Sequence, residues 1–320
     1  MLVNPLAGRS ALHLFDRLIE GCRASGPIRM AVVAPTTEVA LGGVIAAFKA
    51  GLIEPVLVGE EAVIRRLADS MDFDLSPLVI VDASDDLEAA QKSVALCKSG
   101  RVQALMKGSL HTDTLMHAVL DREGGLRTPR RVSHIFVLDA PGYPRPLLIS
   151  DAGINIYPTL DEKVDIVRNA IDLAQAIGIQ VPNVAILSAV ETVNPKITST
   201  LDAAALCKMA DRKQIRGAVI DGPLAFDTAI SKEAATIKGL SSSVAGVADV
   251  LVVPDLESGN MLAKQLEYLG GAELAGVVVG ARVPLVLTSR ADASRARLAS
   301  CAVAAAWIRA TRHAVAAHID

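Results

Sequence analysis

The chain has 320 residues, 51% of them hydrophobic and 21% charged, with a formal charge of −3. This supplies a sizeable core for one large or two moderate domains, and the near-balanced charge excludes a global pull on nucleic acid or an anionic membrane. Aromatic residues are only 3%, so Ala, Val, Leu and Ile must fill the core, which suits a parallel sheet covered by helices on both faces.

The N-terminus, MLVNPLAGRSALHLFDRL, lacks a basic region followed by an apolar core and a cleavage site. Ala11 to Cys22 has helical spacing and ends at Ser25-Gly26-Pro27. Ile28 to Ala34 is a short apolar strand, and Pro35-Thr36-Thr37-Glu38 caps a helix over Val39 to Ala50. Strand and helix then alternate: strand Pro55–Gly59, helix Glu60–Asp69, strand Leu78–Asp82, helix Glu88–Lys98, strand Ala104–Gly108. That rhythm predicts right-handed βαβ units and a parallel sheet. The fourth strand runs into KGSLHTDTLMHAVL, where Ser109, Thr112 and Asp113 can cap a helix through Val119. A strand end feeding a helix N-terminus offers outward N–H groups and a positive dipole to an anion, and Lys107 adds a full charge. His111 and His117 can face the same place, although an isolated histidine is more often structural than catalytic. Asp113 and His117, four apart, lack the third ligand a metal site needs.

From Arg122 to Arg131 the rhythm breaks into a loop of arginines, acids, glycines and a proline. Strand Val132–Leu138, the turn Asp139–Pro146 and strand Leu147–Ser150 follow. The PGYP connection is too short for a helical crossover and predicts an antiparallel pair. Alternation resumes with a helix at Asp161–Ile177, strand Val184–Ser188, helix Thr198–Asp211, strand Gly217–Asp221, strand Asp249–Val253, helix Met261–Leu269 and strand Gly276–Gly280. Asp221-Gly222-Pro223 and Pro254-Asp255 follow strands, and Gly259-Asn260 precedes a helix; each alone reads as a turn or cap. A last strand, Val283–Leu287, precedes Thr288, Ser289, Arg290 and Asp292 and a helix to the C-terminus. Ligands of open α/β sheets bind at the carboxyl ends of strands. A hydroxyl, a guanidinium and a carboxylate at such an end can hold an oxyanion; a capped helix with a solvated arginine is the alternative. Cys22, Cys97, Cys207 and Cys301 show no CxxC or zinc spacing and read as free thiols of a reducing cytosol. No apolar run approaches the ~20 residues of a membrane helix, so a cytoplasmic protein is expected.

Taken together, LMKGSLHTDTLMHAVL, VSHIFVL, LISDAGINIYPT, VIDGPLAFDTAIS, VAGVADVLVVPDLESGNMLAKQL and LTSRADASRARLAS resemble the phosphate acetyltransferase and phosphate butyryltransferase family. MKGSLHTD and TSRAD look more like its butyryl-type branch. The resemblance runs from about Pro27 onward, in order and at compatible spacing. It implies an α/β fold of two α/β domains around a central cleft, similar to the isocitrate and isopropylmalate dehydrogenase architecture. The first domain would comprise residues 1–131 plus 280–320 and the second 132–279. It also implies a homodimer, no permanently bound cofactor, and no nucleic-acid or membrane partner. The reaction implied is acyl-CoA plus orthophosphate giving acyl phosphate plus CoA. Some relatives carry a hydratase-like domain ahead of this unit; this chain begins with the transferase portion, so no hydratase activity is expected.

On the same resemblance, Ser289 stabilises the carbonyl oxyanion and Arg290 binds phosphate. Two positions depart from the acetyl-type pattern: Met116 stands where an arginine closes the DTLR block, and Ala296 where an aspartate lies seven residues beyond the serine. Asp292 can serve as a substitute base, a helix-capping role fitting it equally well, and Lys107, Arg130 or Arg131 can replace the lost charge. Candidate contacts for phosphate or CoA are thus Arg290, Lys107, His111, Asn260, Arg130 and Arg131, with no metal. A less polar wall at Met116 suits a chain longer than acetyl. Two rivals stand beside this reading: an NAD-dependent dehydrogenase of the same fold, for which no GxGxxG or divalent-metal set is found, and a non-catalytic sensor of acyl-CoA or acyl phosphate.

Overall fold

The computed structural model describes residues 14–287 and 294–316. The N-terminal part contains α1 (Leu14–Ser25), β1 (Ile28–Val33), α2 (Glu38–Lys49), β2 (Ile53–Gly59), α3 (Glu61–Ser70), β3 (Val79–Asp82), α4 (Asp86–Lys98), β4 (Ala104–Lys107) and α5 (Thr112–Val119). The middle part contains β5 (Ser133–Asp139), β6 (Leu147–Ser150), α6 (Leu160–Ala176), β7 (Asn183–Leu187), α7 (Thr198–Asp211), β8 (Val219–Leu224), α8 (Phe226–Ile230), α9 (Lys232–Ile237), β9 (Val250–Val252) and α10 (Leu256–Tyr268). β10 (Glu273–Val279), β11 (Leu285–Val286) and α11 (Ser294–Ala316) complete it. The fold is α/β, and the chain divides into two compact units. One spans Phe15–Arg130 together with the segment from Ala275 onward; the other contains Arg131–Leu274.

In the first unit the strand order is β3-β2-β1-β4-β11-β10. β1, β2, β3 and β4 pair in parallel, as helices between successive strands require. β11 adds in parallel to β4, with Val286 opposite Met106, and pairs antiparallel with β10. It is two residues long rather than the five read from Val283–Leu287. Strands β1 and β4 are buried almost throughout, as a sheet covered on both faces demands. Thr37 caps α2 by accepting from the Ala40 N–H, and Asp85 caps α4 by accepting from Glu88.

In the second unit the order is β5-β6-β9-β7-β8. β5 and β6 form the expected antiparallel pair, and β6, β9, β7 and β8 run parallel to one another. Its core gathers Phe136, Leu138, Tyr143, Leu147, Ile149 and Leu251 with small residues from α8 and α10. Two expectations change here. α10 starts at Leu256, not Met261, because Asp255 and Ser258 form a reciprocal capping box; Gly259 and Asn260 therefore lie inside the helix. β8 continues through Asp221-Gly222-Pro223 to Leu224 instead of turning there. The short helices α8 and α9 had no counterpart in the sequence reading.

Candidate functional site

In the first unit, the parallel strands bring the carboxyl ends of β1 and β4 side by side, Val33 opposite Lys107. Gly108 and Ser109 then lie flat on the chain leaving β1: Gly108 N–H donates to Val33 O and Ser109 N–H to Ala34 O, each at 2.8 Å. A β-carbon on Gly108 would stand 2.4 Å from both carbonyl oxygens, so only glycine permits this approach. Lys107 is half-buried, and its Nζ donates to Leu110 O at 3.1 Å and to Gly108 O at 3.4 Å. The ammonium is thus held over the loop that enters α5. His111 is the exposed N-cap residue of α5, and its side chain makes no capping hydrogen bond. Asp113 and His117 are exposed on that helix, whereas Met116 is buried.

β11 enters the same edge: its register with β4 and the 3.1 Å bond from Leu105 N–H to Pro284 O run the chain parallel to β4 as far as Val286. Ser289, Arg290 and Asp292, which follow, lie outside the described residues. Beyond them Ala296 is buried in α11, its carbonyl accepting from Ser300 Oγ at 2.7 Å. Arg130, half-buried, donates its N–H to Thr128 Oγ1.

The second unit has a polar edge of its own, where β5 begins and β6, β9, β7 and β8 end. Its centre is Asp151, 2% exposed. The carboxylate accepts from Gly153 N–H at 2.8 Å, Ile154 N–H at 2.9 Å, His134 N–H at 3.1 Å and Asn155 Nδ2 at 2.6 Å. Burial pushes its pKa above the ordinary carboxylate range, and these four donors oppose that rise. Asn155 also donates to Val132 O and accepts from Arg131 Nε at 2.5 Å. Arg131 further pairs with Glu162 at 2.8 Å, and its N–H donates to Asp165. Its guanidinium is therefore engaged by an amide and a carboxylate of its own unit. Asn260, at the start of the second turn of α10, donates to Ala152 O at 3.2 Å. Gly259 lets the helix come that near: a β-carbon there would lie 2.6 Å from Asp151 O.

His134 is the neighbour of Asp151 on this edge. It is buried, its ring stacks edge-on against Phe136 with centroids 4.4 Å apart, and Nδ1 has no hydrogen-bond partner. Burial, with a lesser contribution from the Lys264 charge, lowers its pKa to about 4, so the imidazole is neutral at pH 7. Among the described residues no three His, Cys, Asp or Glu side chains gather to hold a metal ion.

The sequence pattern of the Phosphate acetyl/butaryl transferase family matches residues 87–305, more than half of the chain. The chain belongs to this family. It is 58% identical over 305 residues to a phosphate acetyltransferase of Rhizobium meliloti, covering 95% of this chain and 96% of that protein. It is 42% identical over 291 residues to a phosphate butyryltransferase of Clostridium acetobutylicum, covering 91% and 97%. The crystal structure of a branched-chain phosphotransacylase from Enterococcus faecalis V583 superposes with a TM-score of 0.76 at 31% identity, covering 88% of this chain and 99% of that one. The protein is an acyltransferase that moves a short acyl group reversibly between CoA and phosphate. The matched span contains β4, β11 and the Asp151 edge, while β1 and the loop after it precede the span.

The sequence offers no local sign of His134, Asp151 or Asn155 as site residues, and it presents Thr36 and Ser109 as helix caps, whereas their hydroxyls bond to each other and Ser109 leaves α5 without a side-chain cap. SDAGIN was legible as a block, but nothing in its spacing says that its carboxylate is fully buried.

Proposed function

We propose that the transfer is a direct exchange at one carbonyl carbon, with acetyl as the acyl group. A phosphate oxygen attacks the thioester carbon, the C–S bond breaks, and the CoA thiolate leaves and takes a proton. No acyl-enzyme forms. Arg290 clamps the phosphate with its planar fork, Lys107 adds charge, and Ser289 donates to the carbonyl oxygen as negative charge develops on it. Asp292 exchanges the proton with the thiol. His111, Arg130 and Asn260 are further contacts for CoA or phosphate, and Arg131 acts through the Asn155 network.

The observation that carries this reading is the parallel register of β11 with β4, which runs the chain along the edge that ends in Lys107 as far as Val286, three residues before Ser289 in sequence. Acetyl is favoured because the relative at 58% identity is named for acetyl and the one at 42% for butyryl. A longer acyl chain is the second reading, favoured by the apolar, buried Met116 where acetyl-type enzymes have arginine. We place the enzyme in the cytoplasm as a homodimer, with CoA as substrate and no resident cofactor. The four unpaired thiols fit that compartment, and exposed Met261, Tyr268 and Leu269 on and beside α10 offer an apolar contact face.

Rates with acetyl-, propionyl- and butyryl-CoA decide the acyl group; a strong preference for butyryl would overturn acetyl. Ser289→Ala should lower kcat on the order of 10²- to 10³-fold, the cost of one oxyanion donor. Arg290→Ala should weaken phosphate binding. Near-normal rates in either variant would remove that residue from the site.

A further inference from the structure

We propose that Ser109 is a positioning residue for the acyl-transfer reaction, setting the place of Lys107 by tying the loop after β4 to the loop after β1. The inference rests on assigning the β4 edge to the anionic substrate.

Ser109 Oγ donates to Ala34 O at 2.7 Å. With that proton committed, the 2.8 Å contact between Ser109 Oγ and Thr36 Oγ1 has the threonine as donor, and Thr36 N–H donates to the same oxygen at 3.1 Å. One hydroxyl therefore joins two loops 73 residues apart in sequence. The β1 loop needs such a hold. Ala34 sits at φ 50°, in the left-handed region that is unfavourable for a residue with a β-carbon. Its carbonyl receives both the N–H and the hydroxyl of Ser109, while its own N–H donates to Val58 O at 2.7 Å.

Lys107 depends on the other side of the same joint. Its ammonium is located by the carbonyls of Gly108 and Leu110, the two residues that flank Ser109. Without the serine hydroxyl, this loop keeps its backbone bonds to β1 but loses its side-chain anchor, and those carbonyls are free to drift. An ammonium acting as a point charge on an anion loses affinity when its mean position shifts.

The test compares wild type, Ser109→Ala, Lys107→Met and the double variant, reading KM for phosphate, kcat and urea-unfolding midpoints. Ser109→Ala should raise KM for phosphate on the order of three- to tenfold, the scale of one or two net hydrogen bonds, with kcat less affected. In the Lys107→Met background the same change should have no further effect on KM, because the two act as one unit. Thr36→Val, at a half-buried position, should raise KM in the same direction, and Thr36→Ser should restore it. Thr36→Val keeps the test open if Ser109→Ala does not fold. An unchanged KM in Ser109→Ala, or a Ser109 effect that persists without Lys107, overturns the proposal. A wild-type enzyme that fails to turn over acyl-CoA with phosphate overturns the underlying assignment as well, and the two failures are thereby distinct.

Discussion

Replacing His134 with leucine should remove one segment of the protein's acid sensitivity. The imidazole is buried beside Phe136 and Gly153, and its Nδ1 has no partner. Its pKa is about 4, against 6.5 for the free side chain. The folded state thus binds fewer protons than the unfolded chain between these values. Stability from this group is complete above pH 6.5 and is lost as pH falls toward 4. A difference of about 2.5 units at about 1.36 kcal/mol each gives about 3 kcal/mol for full protonation. Urea unfolding of wild type and His134→Leu from pH 7.5 to 4 measures it. Subtracting the two curves cancels the contributions of groups that titrate alike in both proteins, and the Lys264 charge enters as part of the His134 effect itself. The variant should gain on wild type by about 3 kcal/mol between pH 7 and 4. At pH 7 it should be no less stable, since an unpartnered buried nitrogen contributes nothing favourable. Parallel pH profiles would refute the burial and neutrality assigned to this ring.

Two further substitutions probe the same edges. Asn155→Asp would turn the donor that serves Val132 O and Asp151 into a second carboxylate facing the first, and should cost at least about 2 kcal/mol in urea unfolding; a smaller loss would mean that the network is loosely packed. Ala34→Gly should stabilise by up to about 1 kcal/mol, because glycine relieves the left-handed conformation and its added unfolded-state entropy offsets only part of the gain. A clear loss in thermal midpoint would show that Ala34 is not strained.

What the sequence revealed followed from local pattern. Ile28–Val33, Ala104–Lys107 and Leu147–Ser150 are apolar runs bounded by turn residues, and each is a strand. The loop from Arg122 to Arg131 and the short PGYP link announced the change from parallel strands to an antiparallel pair. Lys107 could be placed at a strand end because an apolar run ends there and a helical pattern follows; the expected cap did not form, since α5 starts after His111 with no side-chain capping bond. The start of α10 was hidden because its capping box closes with Ser258 instead of Glu or Gln, while Gly-Asn imitates a turn. Longer-range features had no local sign. β11 is two residues long, and its place between β4 and β10 is set by sheet pairing. Arg131 looked like one more loop cation, yet its engagement with Asn155 and Glu162 depends on residues 24 and more positions away. The Thr36–Ser109 joint likewise exists only once β1 and β4 are adjacent.

The most direct measurement is release of free thiol from acetyl-, propionyl- and butyryl-CoA with and without orthophosphate, without added metal or nicotinamide. Release that requires phosphate, yields an equal amount of acyl phosphate and is fastest with acetyl-CoA is the expected result. No thiol from any of the three, or thiol released equally without phosphate, would contradict the assignment of this chain as a phosphate acyltransferase.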